Sequence, residues 1–278
     1  MDISDTFNEL VERFTNPPPL VSVVRLSGLI TAGGGMIRGG INIANQASVL
    51  KSAFAPKRLA AVALVVNSPG GSPVQSALIA KRIRSHAEER KVPVVAFVED
   101  VAASGGYWLA LAADEVIADP ASIVGSIGVV SAGFGFTEAI ARLGIERRLH
   151  TQGERKRLLD PFLPEKPEDV ARLEALQADI HDGFKAWVRE RRAEKLTAPE
   201  ETLFNGDIWT GRQALDLGLI DGLGELRSTM RARFGEKVRL RPVGMRRSPL
   251  RFLLGPRAEA PDLLAAVEER LSWSRWGL

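Results

Sequence analysis

Two glycine-rich loops carry the residues of this 278-residue chain best placed to do chemistry. The first is Asn67-Ser68-Pro69-Gly70-Gly71-Ser72, directly after an apolar run and before a helical one. Adjacent glycines let the backbone turn tightly and present N–H groups at a helix start, where they can hold a phosphate or a developing oxyanion. The same composition also serves an ordinary strand-to-helix turn. The second loop is Asp100-Val101-Ala102-Ala103-Ser104-Gly105-Gly106-Tyr107-Trp108. Its small residues allow a ligand backbone to come close, and Ser104 falls at the start of a helix, where the dipole favours negative charge on its oxygen. A serine there is either a nucleophile or a helix N-cap.

A serine hydroxyl needs a base. The chain has three histidines. His86 lies mid-helix among arginines and glutamates, and His181 lies on a long helix beside Asp182; both read as surface residues. His150 ends a short strand near Lys156 and stays open as a base. A lysine also serves once neutral, which requires its pKa to fall from about 10.4 to about 7–8. Burial and neighbouring positive charge push that way. Lys156 lies between Arg155 and Arg157, followed by Leu158 and Leu159. Spacing alone does not choose between these bases, nor between a catalytic and a solvated lysine.

Both loops follow buried strands, the position at which open α/β sheets bind ligands. Strands are expected at Val21–Leu26, Ala60–Val66 and Val92–Val98, with short ones around Val116 and Ile127. Helices are expected at Asn42–Phe54, at Pro73–Arg90 with Ser72 as N-cap, and at Ser104–Ala113. In the second of these, Val74, Leu78, Ile79 and Ile83 form the expected buried stripe. Apolar strands joined by helical crossovers indicate an α/β fold with parallel units. A long helix over Pro167–Leu196 then leaves the core, and Asn205–Gly224 adds a strand-turn-helix piece.

The ends differ in character. Residues 1–19 read as an amphipathic helical arm stopped by Pro17-Pro18-Pro19, residues 20–235 as the main domain, and residues 236–278 as a basic extension. Between Arg227 and Arg251 there are eight arginines and Lys237 against one acid, Glu236. Pro261–Trp276 then reads as an amphipathic helix. Such a tail can touch anionic lipid; a solvated basic face is the plainer account.

Composition excludes several classes. Apolar residues make up 45% and charged residues 26%, an ordinary globular mix. The absence of cysteine removes a thiol nucleophile, a cysteine zinc site and disulfides. None of the histidines stands in a metal-type pair, so no metal and no cofactor are expected. A net charge of +3 is too small to indicate a nucleic-acid partner. With no secretory signal and no long apolar run, the expected location is cytoplasmic, peripheral to the inner membrane if the tail binds lipid.

Five landmarks in order complete the reading: Asn67-Ser68-Pro69-Gly70-Gly71, Ala103-Ser104-Gly105-Gly106-Tyr107, Gly125-Ser126-Ile127-Gly128-Val129, Gly153-Glu154-Arg155-Lys156 and Trp209-Thr210-Gly211-Arg212-Gln213-Ala214. Together they resemble the signal peptide peptidase A family of bacterial serine peptidases. That resemblance implies a crotonase- or Clp-protease-like spiral of repeated β-β-α units, with the long helix peripheral. It implies Ser104 as nucleophile, Lys156 as general base and Ser126 as the residue orienting the lysine. Gly70, Gly71 and Gly105 match the oxyanion-hole positions. It also implies peptide substrates, signal-peptide-like or unfolded and hydrophobic, and ring-like homo-oligomers that often gather catalytic residues across subunits. A catalytically inactive scaffold and an acyl-CoA hydratase or isomerase of the same fold are the competing expectations.

Overall fold

The computed structural model describes residues 17–32, 40–153, 155–244 and 273–274. Among the described residues, eight strands form one sheet: β1 (Leu20–Ser27), β2 (Leu59–Ser68), β3 (Val94–Ala103), β4 (Glu115–Ala118), β5 (Ile123–Gly125), β6 (Ile208–Thr210), β7 (Gly222–Leu223) and β8 (Arg239–Val243). The main path runs β6-β5-β3-β2-β1-β8, and β4 joins β3 to β7. Every pairing is parallel except β5 with β6. The α/β architecture expected from the alternating runs is therefore present.

Helical crossovers follow from local capping. The helix α1 (Ile43–Ala53) starts in a capping box, in which the Asn42 and Asn45 side chains each accept the other's backbone N–H. Next comes α2 (Pro73–Arg90), with Ser72 as N-cap, proline at its first position and Lys91 in the left-handed region at its end. The short α3 (Gly105–Ala110) follows β3 directly. Further along lie α4 (Thr137–Arg142), α5 (Pro167–Arg192), α6 (Glu200–Leu203), α7 (Gly211–Asp216) and α8 (Leu226–Phe234).

Strand alternation divides the core in two. On β2, Val62, Leu64 and Val66 face one side with Leu50 of α1, Ile79 and Ile83 of α2, and Phe184 and Val188 of α5. Ala61 and Ala63 face the other side with Val21, Val95, Phe97 and Met230 of α8. β3 changes partner midway: Val95–Val98 pair with β4 and Val101–Ala103 pair with β5. Glu99 and Asp100 stand at the change, where the strand's burial relaxes. This fork carries the end of β3, and Ser104 after it, towards β5.

Several expectations are corrected. Val74 and Leu78 of α2 are 64% and 43% exposed, so the buried stripe is carried by Ile79, Ala80, Ile83 and Ala87. Ile127 lies just beyond β5, fully buried in a loop. No strand precedes His150, which is exposed. The long helix ends at Arg192, and a 3-10 turn, Ala193–Lys195, completes it. The arginines between 227 and 241 lie on α8 and β8, where Arg233 pairs with Glu115 at 2.6 Å. β8 pairs with β1, so the sheet continues to Val243. The expected N-terminal helix and the expected Pro261–Trp276 helix lie outside the described residues, the pair 273–274 apart. No helix of the described residues is long and apolar enough to cross a membrane.

One region stands apart from both core layers. Between Val130 and Ile145 the chain exposes Val130, Phe134, Phe136, Leu143 and Ile145, with Phe134 at 82% and Leu143 at 73%. Within it α4 buries no residue at all. The same arm continues to Lys156.

Candidate active site

The first loop is tied down at both ends. The Ser68 hydroxyl donates to the Gly28 carbonyl at 2.7 Å and accepts the Gly70 N–H at 3.2 Å. Ile30 N–H donates to the Gly70 carbonyl and Ser72 N–H to the Ile30 carbonyl, both at 2.8 Å. Gly70 and Gly71 adopt φ +104° and +137°, a region open to glycine and strained for other residues. A side-chain carbon at Gly70 would stand 2.8 Å from Ser104 Cβ and 2.9 Å from the Gly105 nitrogen. One at Gly71 would collide with the Ile30 carbonyl. Glycine at position 70 is what lets the two loops touch, and glycine at 71 lets the first loop lie against Ile30.

Ser104 directly follows β3 with φ 51° and ψ −122°, an unfavourable conformation for a residue with a Cβ. Its backbone is held from two sides: its N–H donates to the Gly125 carbonyl at 2.8 Å, and its carbonyl accepts from Trp108 N–H at 3.0 Å. Its side chain makes no capping hydrogen bond to α3. The N-cap account of Ser104 therefore fails, and the hydroxyl is left for something else. Tyr107, three residues on, is fully buried and donates its hydroxyl to the Leu219 carbonyl at 2.7 Å. That burial raises the phenol's pKa well above its ordinary value.

Ser126 repeats the backbone signature at φ 52°, in the turn after β5. Its N–H donates to the Asp207 carbonyl at 2.7 Å and its carbonyl accepts from Gly128 N–H at 3.0 Å. Ser104 and Ser126 line one cavity of about 500 Å³ together with Gly70 and Gly71. Leu29, Pro69, Pro73, Val129 and Val130 supply an apolar wall, and Asn205 and Gly206 close the rim. Among the described residues, those lining this cavity include no lysine, histidine or carboxylate.

Lys156 is elsewhere. It is exposed on the arm, in a turn where its N–H donates to the Gly153 carbonyl at 3.2 Å. His150, Arg155 and Arg157 line a separate cavity of about 1060 Å³ with Lys166 and Arg172. Within one chain, then, the structure brings Ser104, Ser126, Gly70, Gly71 and neighbouring Gly105 together, while Lys156 and His150 do not line that cavity. His86 is not a solvated residue: its ring packs on Phe54 at 5.5 Å and its Nε2 is buried without a hydrogen-bond partner. Nor is His181, whose Nε2 lies 3.1 Å from the Ile127 carbonyl. Two rim residues went unread in the sequence. Asn205-Gly206 is a turn signal, and here the Asn205 side chain accepts the Asp207 N–H at 2.8 Å.

Residues 86–238 match the model of a family described as Peptidase family S49. The chain is 50% identical over 284 positions to a Brucella abortus protein named Na(+)/H(+) antiporter NhaA, a match covering 96% of this chain and 38% of that protein. It is 30% identical over 251 positions to the Arabidopsis thaliana protein named Serine protease SPPA, chloroplastic, covering 89% of this chain and 36% of that one. The chain thus spans well under half the length of these relatives. Among solved structures, the 1510-N membrane-bound stomatin-specific protease in complex with a substrate peptide superposes with a TM-score of 0.51 at 15% identity. That match covers 90% of this chain and 98% of the other, and it shows a shared fold.

Proposed function

The chain belongs to peptidase family S49, the signal peptide peptidase A family, and from that premise we propose that it is a serine endopeptidase with Ser104 as nucleophile and Lys156 of a neighbouring subunit as general base. The observation that carries this reading is Ser104 itself: strained, uncapped, and opening onto a cavity beside Ser126 and the Gly70–Gly71 loop. The absence of a base among the described residues that line the cavity, and the apolar arm that carries Lys156 away from its own core, support completion of the dyad across a subunit interface. Burying residues such as Phe134 and Leu143 in such an interface contributes about 1.5–3 kcal/mol each.

The chemistry balances with these groups. Neutral Lys156 takes the Ser104 proton as the Ser104 oxygen attacks the peptide carbonyl carbon. The tetrahedral oxyanion is held by backbone N–H groups of Gly71 and Gly105, because the Gly70 N–H is already directed at Ser68. Lys156, now an ammonium, gives its proton to the leaving amine as the C–N bond breaks. Water then repeats the cycle on the acyl-enzyme, Lys156 taking its proton and returning it to the Ser104 oxygen. Ser126 accepts a hydrogen bond from the lysine amine and aims its lone pair at Ser104. The apolar wall of Leu29, Pro69, Val129 and Val130 suits small apolar side chains, as in signal-peptide-like or unfolded hydrophobic segments.

The test is cleavage of a panel of such peptides by wild type, Ser104→Ala and Lys156→Ala, with oligomeric size measured alongside. Both variants should assemble like wild type and lose at least about a thousandfold in activity. Cleavage that survives Lys156→Ala would place the base elsewhere. An assembled wild type that cleaves nothing and ignores a serine-directed phosphonate would instead support a peptide-binding scaffold.

A further inference from the structure

We propose that His181 is a positioning residue that holds the Ser126 turn through the Ile127 carbonyl; the inference rests on the roles proposed above for Ser104 and Ser126. A carbonyl can only accept, so the His181 Nε2 at 3.1 Å carries the proton and donates it. Ile127 is fully buried, so its carbonyl has no access to solvent as an alternative partner. Ser126 N–H is held by the Asp207 carbonyl, and Gly128 N–H closes back on Ser126. With Ser126 at φ 52°, the turn sits in a conformation that its surroundings must impose.

The helix that carries His181 is also locked to the nucleophile's helix. Phe184, one turn along α5, stacks on Trp108 of α3 at 4.7 Å between centroids. Trp187, a further turn along, donates its indole N–H to the Trp108 carbonyl at 3.1 Å. Positions 181, 184 and 187 succeed one another at a spacing of three and lie close on one helix face. A single rigid element therefore contacts the Ser126 turn at one point and the Ser104 helix at two more, and it adds to the direct bond from Ser104 N–H to the Gly125 carbonyl in fixing the separation of the two serines. Catalytic groups tolerate only about 0.5 Å of misplacement, so a strut of this kind acts on turnover more than on folding.

The experiment compares wild type, His181→Ala and His181→Gln, the glutamine amide restoring a donor at similar reach. The readouts are kcat and KM on a cleaved peptide, the rate of phosphonate labelling at Ser104, and the thermal midpoint. For His181→Ala we expect kcat and labelling to fall by about 3- to 10-fold, the range one hydrogen bond corresponds to, with KM nearly unchanged and a modest drop in midpoint from the unpaired Ile127 carbonyl. His181→Gln should recover most of that loss. Wild-type kcat and labelling in His181→Ala would overturn the role, as would a loss that glutamine does not recover. A wild type that neither cleaves nor labels would overturn the peptidase reading and this role with it.

Discussion

Ser104 and Ser126 share a rare feature: both are non-glycine residues with φ near +50°, and both follow a strand directly. Each such conformation costs on the order of 1–3 kcal/mol, and surrounding contacts must enforce it. For Ser104 the enforcing neighbour is Gly70, whose missing side chain is what allows the close approach. Gly70→Ala should therefore displace the nucleophile. We expect phosphonate labelling to fall at least about a hundredfold, with thermal destabilisation of about 1–3 kcal/mol from the strained φ. A variant that labels at the wild-type rate would show that Ser104 does not depend on this contact. The types and order of these residues were legible in the sequence. Their backbone strain was not, because φ at a serine depends on what presses against it.

At the scale of elements, α5 is the member that ties the site to the rest of the sheet. Its last turn places Arg192, 3% exposed, against Asp221 at 2.7 Å, and Lys195 reaches the other carboxylate oxygen at 2.7 Å. Val116 N–H of β4 donates to the same carboxylate at 2.8 Å. Burial alone would raise the Asp221 pKa, but Arg192, Lys195 and the Val116 N–H outweigh it and hold the carboxyl below its ordinary range. The sign follows from linkage. The unfolded chain binds this proton at higher pH than the folded one, so the contribution is intact above the ordinary aspartate range and is lost as pH falls through the folded value. Asp221→Asn should cost about 3 kcal/mol at neutral pH by leaving Arg192 buried without its counter-charge. It should also flatten the loss of stability below about pH 4 relative to wild type. Chemical denaturation of both proteins across pH measures the two effects together; parallel curves would show that Asp221 is not a linked group.

For the whole molecule, the exposed arm is the feature that one chain does not explain. Phe134→Asp should break the assembly and abolish cleavage without unfolding the sheet, measured by sedimentation and circular dichroism. A monomeric, fully active variant would overturn completion of the dyad across subunits. Complementation is the sharper test. Co-folded at equal ratio, inactive Ser104→Ala and Lys156→Ala chains should regain about a quarter of wild-type activity, because about one junction in four would pair an intact Ser104 with an intact Lys156. A mixture that stays inactive would show that each subunit must supply both residues.

The sequence by itself determined the α/β class, the order of the main strands and helices, and the residue types of a serine nucleophile's loop. Those follow from local rules: near-continuous apolar runs, caps such as Asn42 and Ser72, and glycine pairs after strands. Only the tertiary structure decided that Ser104 is uncapped and strained, that Val74 and Leu78 face outward, and that His86 and His181 are packed residues. It also decided that Lys156 stays outside the Ser104 cavity of its own chain. Each of these depends on which surface meets another far along the chain. A one-dimensional pattern records that a residue is apolar or ionisable, but not what stands opposite it.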